Sequence, residues 1–165
     1  MSATGLTPTE SEPAGLCAGE LGAWKGMLRV HASLMKALDA ELEATHRLPL
    51  TSYEVLMQLA EAPDQKMRMC DLADSVLLSR SGMSRLVDRL ERDGLLERAA
   101  CTNDARGSFA VLTVAGRELL DAARPTHHAG VRRLFLEHFD EDELELLSSY
   151  WAKVLTAQAA SPAIG

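Results

Sequence analysis

Between Ala18 and His46 apolar side chains recur at Leu21, Trp24, Leu28, Met35, Leu38 and Leu42, with His31 as the one polar member of the series. The steps alternate three and four residues. That is the seam of one long helix, and it calls for a partner helix from this chain or from another copy. Pro49 and Thr51 mark a restart, with Thr51 or Ser52 as the expected N-cap. Val55, Leu56, Leu59 and Ala60 carry the next helix to a turn at Pro63-Asp64. A short helix is expected over 70–76. Ser79 then caps a helix running from Arg80 to about Asp93, with Gly94 at its C′ position. Two helices joined by so short a turn make a helix-turn-helix. After Gly94 the period falls to about two. Leu95–Ala100 and Phe109–Leu112 read as strands around a turn-forming run at 102–107. Thr113 caps a further helix bearing Leu119, Leu120 and Ala123, which Pro125 is expected to interrupt. Asp140 and Glu143 form a capping box for a last helix striped by Leu144, Leu147, Trp151, Val154 and Leu155. The fold class is mainly α with a small β-hairpin wing: a winged helix-turn-helix between long N- and C-terminal helices.

Composition adds exclusions. The chain has 165 residues, 47% hydrophobic and 25% charged, the balance of a globular domain. No apolar run approaches the ~18–20 residues of a membrane span, so no membrane partner is expected. Residues 1–13 lack the basic start and apolar centre of a secretory leader, which makes the cytoplasm the expected compartment. Cys17, Cys70 and Cys101 are odd in number and far apart, and they form no disulfide framework or CxxC pair. His127, His128 and His138 lie near Glu137, but adjacent histidines point to different sides of a helix. Neither a metal nor a cofactor is expected. No phosphate loop, nucleophile elbow or HExxH motif is present, so the chain does not read as an enzyme.

Net charge argues at first against a nucleic-acid partner. There are 17 basic and 24 acidic residues, for a net of −7. The distribution reverses that impression. From Lys66 to Arg106 there are 8 basic and 7 acidic residues, a net of +1, which leaves −8 on the rest of the chain. Six of the eight basic residues lie between Arg80 and Arg106, and all six are arginine, the side chain whose planar fork suits phosphate and guanine. At 100° per residue, Met83, Leu86, Val87 and Leu90 form one face of the helix over 80–93, with Ser81, Arg85, Asp88 and Arg92 opposite and Ser84 and Arg89 flanking. The outward N-terminal end is Arg80, Ser81, Ser84 and Arg85. Small serines permit close approach to a groove, and Arg85 can reach a guanine edge or a phosphate.

The run from Leu72-Ala73 through Leu78-Ser79-Arg80-Ser81-Gly82-Met83-Ser84-Arg85-Leu86-Val87-Asp88-Arg89-Leu90-Glu91-Arg92-Asp93-Gly94-Leu95-Leu96-Glu97-Arg98 resembles the multiple-antibiotic-resistance regulator (MarR) family. So does Asp104-Ala105-Arg106-Gly107 followed by Leu112-Thr113, the family's wing signature. The resemblance covers about residues 20–156. It implies a homodimeric transcription regulator, a repressor by family habit, which reads a pseudo-palindromic operator in double-stranded DNA. The recognition helix over 79–93 would enter the major groove and wing Arg106 the adjacent minor groove. Asp104, two residues earlier, would orient that guanidinium or simply cap the turn. Ser79, Arg80, Ser81, Ser84, Arg85, Arg89, Asp104 and Arg106 are the expected DNA-binding residues. The expected organisation is a disordered tail (1–16), an N-terminal dimerisation helix (17–48), a winged-helix DNA-binding domain (49–113), C-terminal dimerisation helices (114–158) and a flexible tail (159–165).

The resemblance also implies release from DNA by a small phenolic or acidic effector. Trp24, His31, Glu54 and Arg98, with Arg85, are the candidate ligand residues. The urate-responsive branch pairs a first-helix tryptophan with an acid on the second helix and with arginines near the recognition helix. Trp24, Glu54, Arg85 and Arg98 fall at comparable places, with Glu where that branch has Asp. The plainer reading, which the residues favour, makes Trp24 dimer core and Glu54 a solvated helix residue. Two alternatives stand beside the regulator: a winged helix used only to bind protein, and redox sensing through a cysteine. Cys17 lacks aromatic neighbours and Cys70 sits at a helix start. Arginines on both the recognition helix and the wing count against the first alternative.

Overall fold

The computed structural model describes residues 15–76, 80–100 and 108–160. Packing divides the chain into two units, residues up to Ser33 and residues from Leu34 onward. The elements are α1 (Ala18–His46), α2 (Leu50–Glu61), β1 (Lys66–Arg68), α3 (Met69–Ser75), α4 (Arg80–Arg92), β2 (Leu96–Ala100), β3 (Ser108–Leu112), α5 (Val114–Leu134) and α6 (Glu141–Ala160), with short 3₁₀ turns at Pro63–Gln65 and Leu136–His138. This is a mainly helical fold with a small antiparallel sheet, and among the described residues no helix is long and apolar enough to cross a membrane.

The first unit is the N-terminal half of α1. Trp24, Leu28 and His31 are exposed along the seam and Leu21 is half-buried.

The second unit holds the core. Leu38 and Leu42 from the C-terminal half of α1 join Tyr53, Val55, Leu56 and Leu59 of α2, Leu72 of α3, the inner face of α4, Leu96 and Leu112 of the sheet, and Leu120 and Ala123 of α5. Each of these is an apolar position of a helical or alternating pattern, so burial follows from periodicity.

Three details depart from the sequence reading. Neither Thr51 nor Ser52 caps α2. The helix starts earlier, at Leu50, with Pro49 in the cap position, and the Leu50 N–H donates to Asp39 Oδ1 at 2.8 Å. A carboxylate from α1 thus replaces the local cap, and Ser52 is buried inside the helix. Second, Lys66–Arg68 is a strand that pairs with β3, which makes a three-stranded sheet in the order β1-β3-β2. Three residues are too few to show alternation. Third, Pro125 does not interrupt α5, which runs unbroken from Val114 to Leu134. Pro125 and Asp121, whose carbonyl the missing N–H would have met, both face outward, while Leu120, Ala123 and Gly130 are buried on the other side. The stripe of α6, read as a surface for a second copy, is only partly covered within the chain. Leu144 and Leu147 are half-buried, whereas Trp151, Val154 and Leu155 are exposed.

The helix ends that aim the wing follow local chemistry. Gly94 takes φ +72°. Its N–H donates to Glu91 O at 3.0 Å and the Leu95 N–H to Leu90 O at 2.9 Å, a Schellman closure of α4. Thr113 caps α5 as expected. Its Oγ1 accepts the Gly116 N–H at 3.0 Å and donates to Gly94 O at 2.7 Å. One hydroxyl thus joins the end of α4 to the start of α5. The Asp140–Glu143 capping box closes reciprocally, at 3.0 and 2.8 Å.

His127 lies between α5 and α2. Its ring stacks on buried Tyr53 with centroids 4.5 Å apart, and its Nδ1 is buried without a hydrogen-bond partner among the described residues. Burial, helped by the charge of His128, holds its pKa below the ordinary histidine value of 6.5. The unfolded chain therefore takes up a proton that the folded chain resists. Stability is full above that ordinary value and is lost as pH falls through it toward the folded pKa. The urea midpoint of wild type is expected to fall further between about pH 7.5 and about pH 5 than that of His127→Gln. An equal fall in the two proteins refutes the assignment.

Candidate nucleic-acid interface

α4 is divided cleanly by burial. Met83, Leu86, Val87 and Leu90 are between 0% and 7% exposed, while Ser81, Ser84, Arg85, Asp88, Arg89 and Arg92 are all on the exposed side. The face expected to point outward does so. Ser79, Asp104, Arg106 and the side chain of Arg80 lie outside the described residues, as does Cys101. Arg106 falls in the connection between the paired strands β2 and β3, whose register runs from Leu96↔Leu112 to Ala100↔Ser108.

The arginines of this region differ in what holds them. Arg85 Nε donates to Ser81 O one turn back, at 3.3 Å, and pairs with no carboxylate among the described residues. Among the described residues, then, its guanidinium has no carboxylate partner, and it stands on an exposed helix face. Arg89 Nη2 donates to buried Ser52 Oγ at 2.8 Å, a bond between α4 and α2. Arg85 and Arg89 share a cavity of about 280 Å³ with Thr51, Gly82 and Leu86. Arg92 Nε donates to Asp88 O at 3.2 Å. Arg98 is engaged most fully: Nη2 meets Asp88 Oδ1 at 2.6 Å and Nη1 meets Glu91 Oε2 at 2.7 Å. The hydrogen bond that Arg98 donates to Asp88 is the largest cause raising the Arg98 pKa above its ordinary value.

The candidate ligand residues fall in both units. Trp24 and His31 are exposed on the first unit. Glu54 is half-buried on α2 and lines a cavity of about 150 Å³ with Met57, Gln58, Ser75 and Val76, a lining that does not include Arg98. Arg98 itself is committed to α4. Cys17 and Cys70 are exposed free thiols, and the Cys70 thiol donates to Asp71 Oδ1 at 3.3 Å. No group of three His, Cys, Asp or Glu suited to a metal occurs among the described residues.

Sequence reading missed two parts of this surface. Ser52 as the anchor of Arg89 is 37 residues away in the chain, and only burial of a lone serine hints at it. Asp88 and Glu91 as partners of Arg98 sit across the Gly94 turn, on a helix while Arg98 is on a strand, so no single period links them.

Known proteins resemble this chain in sequence and fold. Residues 48–108 match the model of the MarR family. The HTH-type transcriptional regulator MhqR of Bacillus subtilis is 31% identical over 109 residues, 66% of this chain and 73% of that one. The structure of Sco3205, a MarR family transcriptional regulator from Streptomyces coelicolor solved in complex with DNA, superposes with a TM-score of 0.83 at 31% identity, covering 93% of this chain and 95% of that one. AbsC, another MarR family regulator from the same organism, superposes with a TM-score of 0.82 at 32% identity, over 90% of this chain and all of that one. A winged helix with this order of elements, this exposed arginine-bearing helix and these relatives is a transcription regulator and not an enzyme, and the chain belongs to the MarR family.

Proposed function

We propose that the protein is a homodimeric, sequence-specific DNA-binding regulator that represses transcription from a pseudo-palindromic operator. The observation that carries this reading is the outward face of α4, where Arg85, with no carboxylate partner among the described residues, stands beside exposed Ser81 and Ser84. The N-terminal half of α4 lies in the major groove, with Arg85 on a guanine edge or a phosphate and Ser79, Arg80 and Ser84 against the backbone. Arg106, oriented by Asp104, enters the narrow minor groove, where the negative potential is strongest. Arg89 supports the helix through Ser52 and presents its remaining N–H groups to phosphate.

Residues 49–113 form the DNA-binding domain, and residues 17–48 and 114–158 supply dimerisation. Exposed Trp24 and Leu28 on one segment and Trp151, Val154 and Leu155 on the other are more apolar surface than a lone chain leaves in water, and a second copy buries them. Two-fold symmetry then sets the half-sites one helical turn, ~34–36 Å, apart. A small phenolic or acidic effector releases the DNA, with Trp24, His31, Glu54 and Arg98 as its candidate residues.

The test is a gel-shift titration on the DNA flanking the protein's own gene, at two salt concentrations, with and without salicylate. Tight binding at one site that weakens steeply with salt is expected, because each phosphate neutralised by arginine releases counterions. Affinity no greater than for random DNA overturns the reading.

A further inference from the structure

We propose that Arg98 is a positioning residue that locks the wing to the recognition helix, so that α4 and the wing arginine engage DNA as one rigid unit. The inference rests on the DNA-binding reading above. Arg98 projects from β2, the strand that leads into the wing. Its guanidinium spans two carboxylates one helical turn apart on α4, at 2.6 and 2.7 Å, and its backbone N–H also donates to Glu91 Oε1 at 3.2 Å. Two parallel contacts from a planar fork fix an angle, where a single contact fixes only a distance. The end of α4 is tied to the sheet a second time through the Gly94 turn and Thr113. The Arg98 clamp acts farther along β2, nearer the residues that carry Arg106. Without the guanidinium, β2 still pairs with β3, and among the described residues only the Arg98 N–H on Glu91 Oε1 joins it to α4 at that level.

A simpler role competes. Asp88 lies on the outward side of α4 and would repel phosphate if left bare, so Arg98 also cancels charge. The two roles separate by a double-mutant cycle. If Arg98 acts by aiming the wing, removing it matters only while Arg106 is there to be aimed. If it acts by cancelling charge, its loss costs the same with or without Arg106.

The experiment measures operator affinity for wild type, Arg98→Ala, Arg98→Lys, Arg106→Ala and the Arg98→Ala/Arg106→Ala pair, with thermal midpoint and dimer state recorded for each. Arg98→Ala is expected to weaken binding about tenfold in wild type and less than about twofold in the Arg106→Ala background. Arg98→Lys recovers only a small part, because a single ammonium cannot bridge both carboxylates. Equal losses in the two backgrounds, or none in wild type, overturn the proposal. Should Arg98→Ala fail to fold, Asp88→Asn/Glu91→Gln removes the clamp from the other side; the positive charge it frees acts alike with and without Arg106, so only the dependence on Arg106 is read. It must show the same dependence on Arg106, and additivity there overturns the proposal equally. Wild type that prefers no site, or Arg106→Ala that binds as wild type does, defeats the DNA-binding reading instead, whatever Arg98 does.

Discussion

Replacing Gly116 with alanine is expected to lower the free energy of unfolding by about 3 kcal/mol or more, the upper end of what overpacking costs. Gly116 is in the first turn of α5, directly against the end of the α4–β2 turn. A Cβ there would stand 2.0 Å from Leu95 O and 2.9 Å from Leu95 C, with Leu112 Cδ1 at 2.8 Å. A side chain can rotate away from such a contact, but a backbone carbonyl cannot. Leu95 O also accepts the Thr113 N–H at 3.3 Å, so moving it strains the junction that seats the wing. The gain in helix propensity from glycine to alanine, roughly 1 kcal/mol, is too small to compensate. Gly130 offers a comparison within the same helix. Its added Cβ would meet Leu38 Cδ2 at 2.7 Å and Glu41 Oε2 at 2.9 Å, both ends of flexible side chains, and Gly130→Ala should cost less. Urea unfolding of the two variants reads this directly. A loss below about 1 kcal/mol for Gly116→Ala would mean that Leu95 relaxes freely and the junction is not rigid.

The Arg85→Ala/Arg106→Ala protein is expected to bind its operator about 30- to 1,000-fold more weakly than wild type while keeping its fold and its dimer. The range follows from about 1–2 kcal/mol for each substituted arginine, summed over both half-sites, at 1.4 kcal/mol per factor of ten. The fold should survive because Arg85 is exposed and bonds only the helix carbonyl one turn behind it. The two single variants should fail differently. Arg106→Ala should weaken binding at every sequence and flatten the salt dependence by about one counterion if its contact is largely electrostatic. Arg85→Ala should also relax the preference at one base pair in each half-site. Competition titrations against operators altered one position at a time measure both. Equal affinity of the double variant and wild type would remove DNA reading from α4 and the wing together.

Much of this protein was legible in its sequence because its patterns are local. The inner face of α4, the Gly94 turn, the Thr113 cap and the Asp140–Glu143 box each depend on residues within one or two turns of one another, and all form as the spacing implies. Serines and arginines fall on the outward face of α4 for the same reason: four apolar positions at helical spacing leave them nowhere else to go.

Where the chain departed from that reading, a distant group had outbid a local one. Asp39 supplies the cap that Thr51 and Ser52 do not, and β3 recruits Lys66–Arg68 into a strand too short to announce itself. Packing of Leu120 and Ala123 carries α5 through Pro125. The same holds for the candidate interface. Which helix bears the arginines was readable from periodicity. Which arginine has no carboxylate partner among the described residues, which is anchored on Ser52 and which is clamped between Asp88 and Glu91 was decided only when residues seven to 37 apart met in space. Periodicity records the face on which a side chain stands, whereas a hydrogen bond or ion pair across elements records a separation in space, and one chain's spacing alone does not encode it.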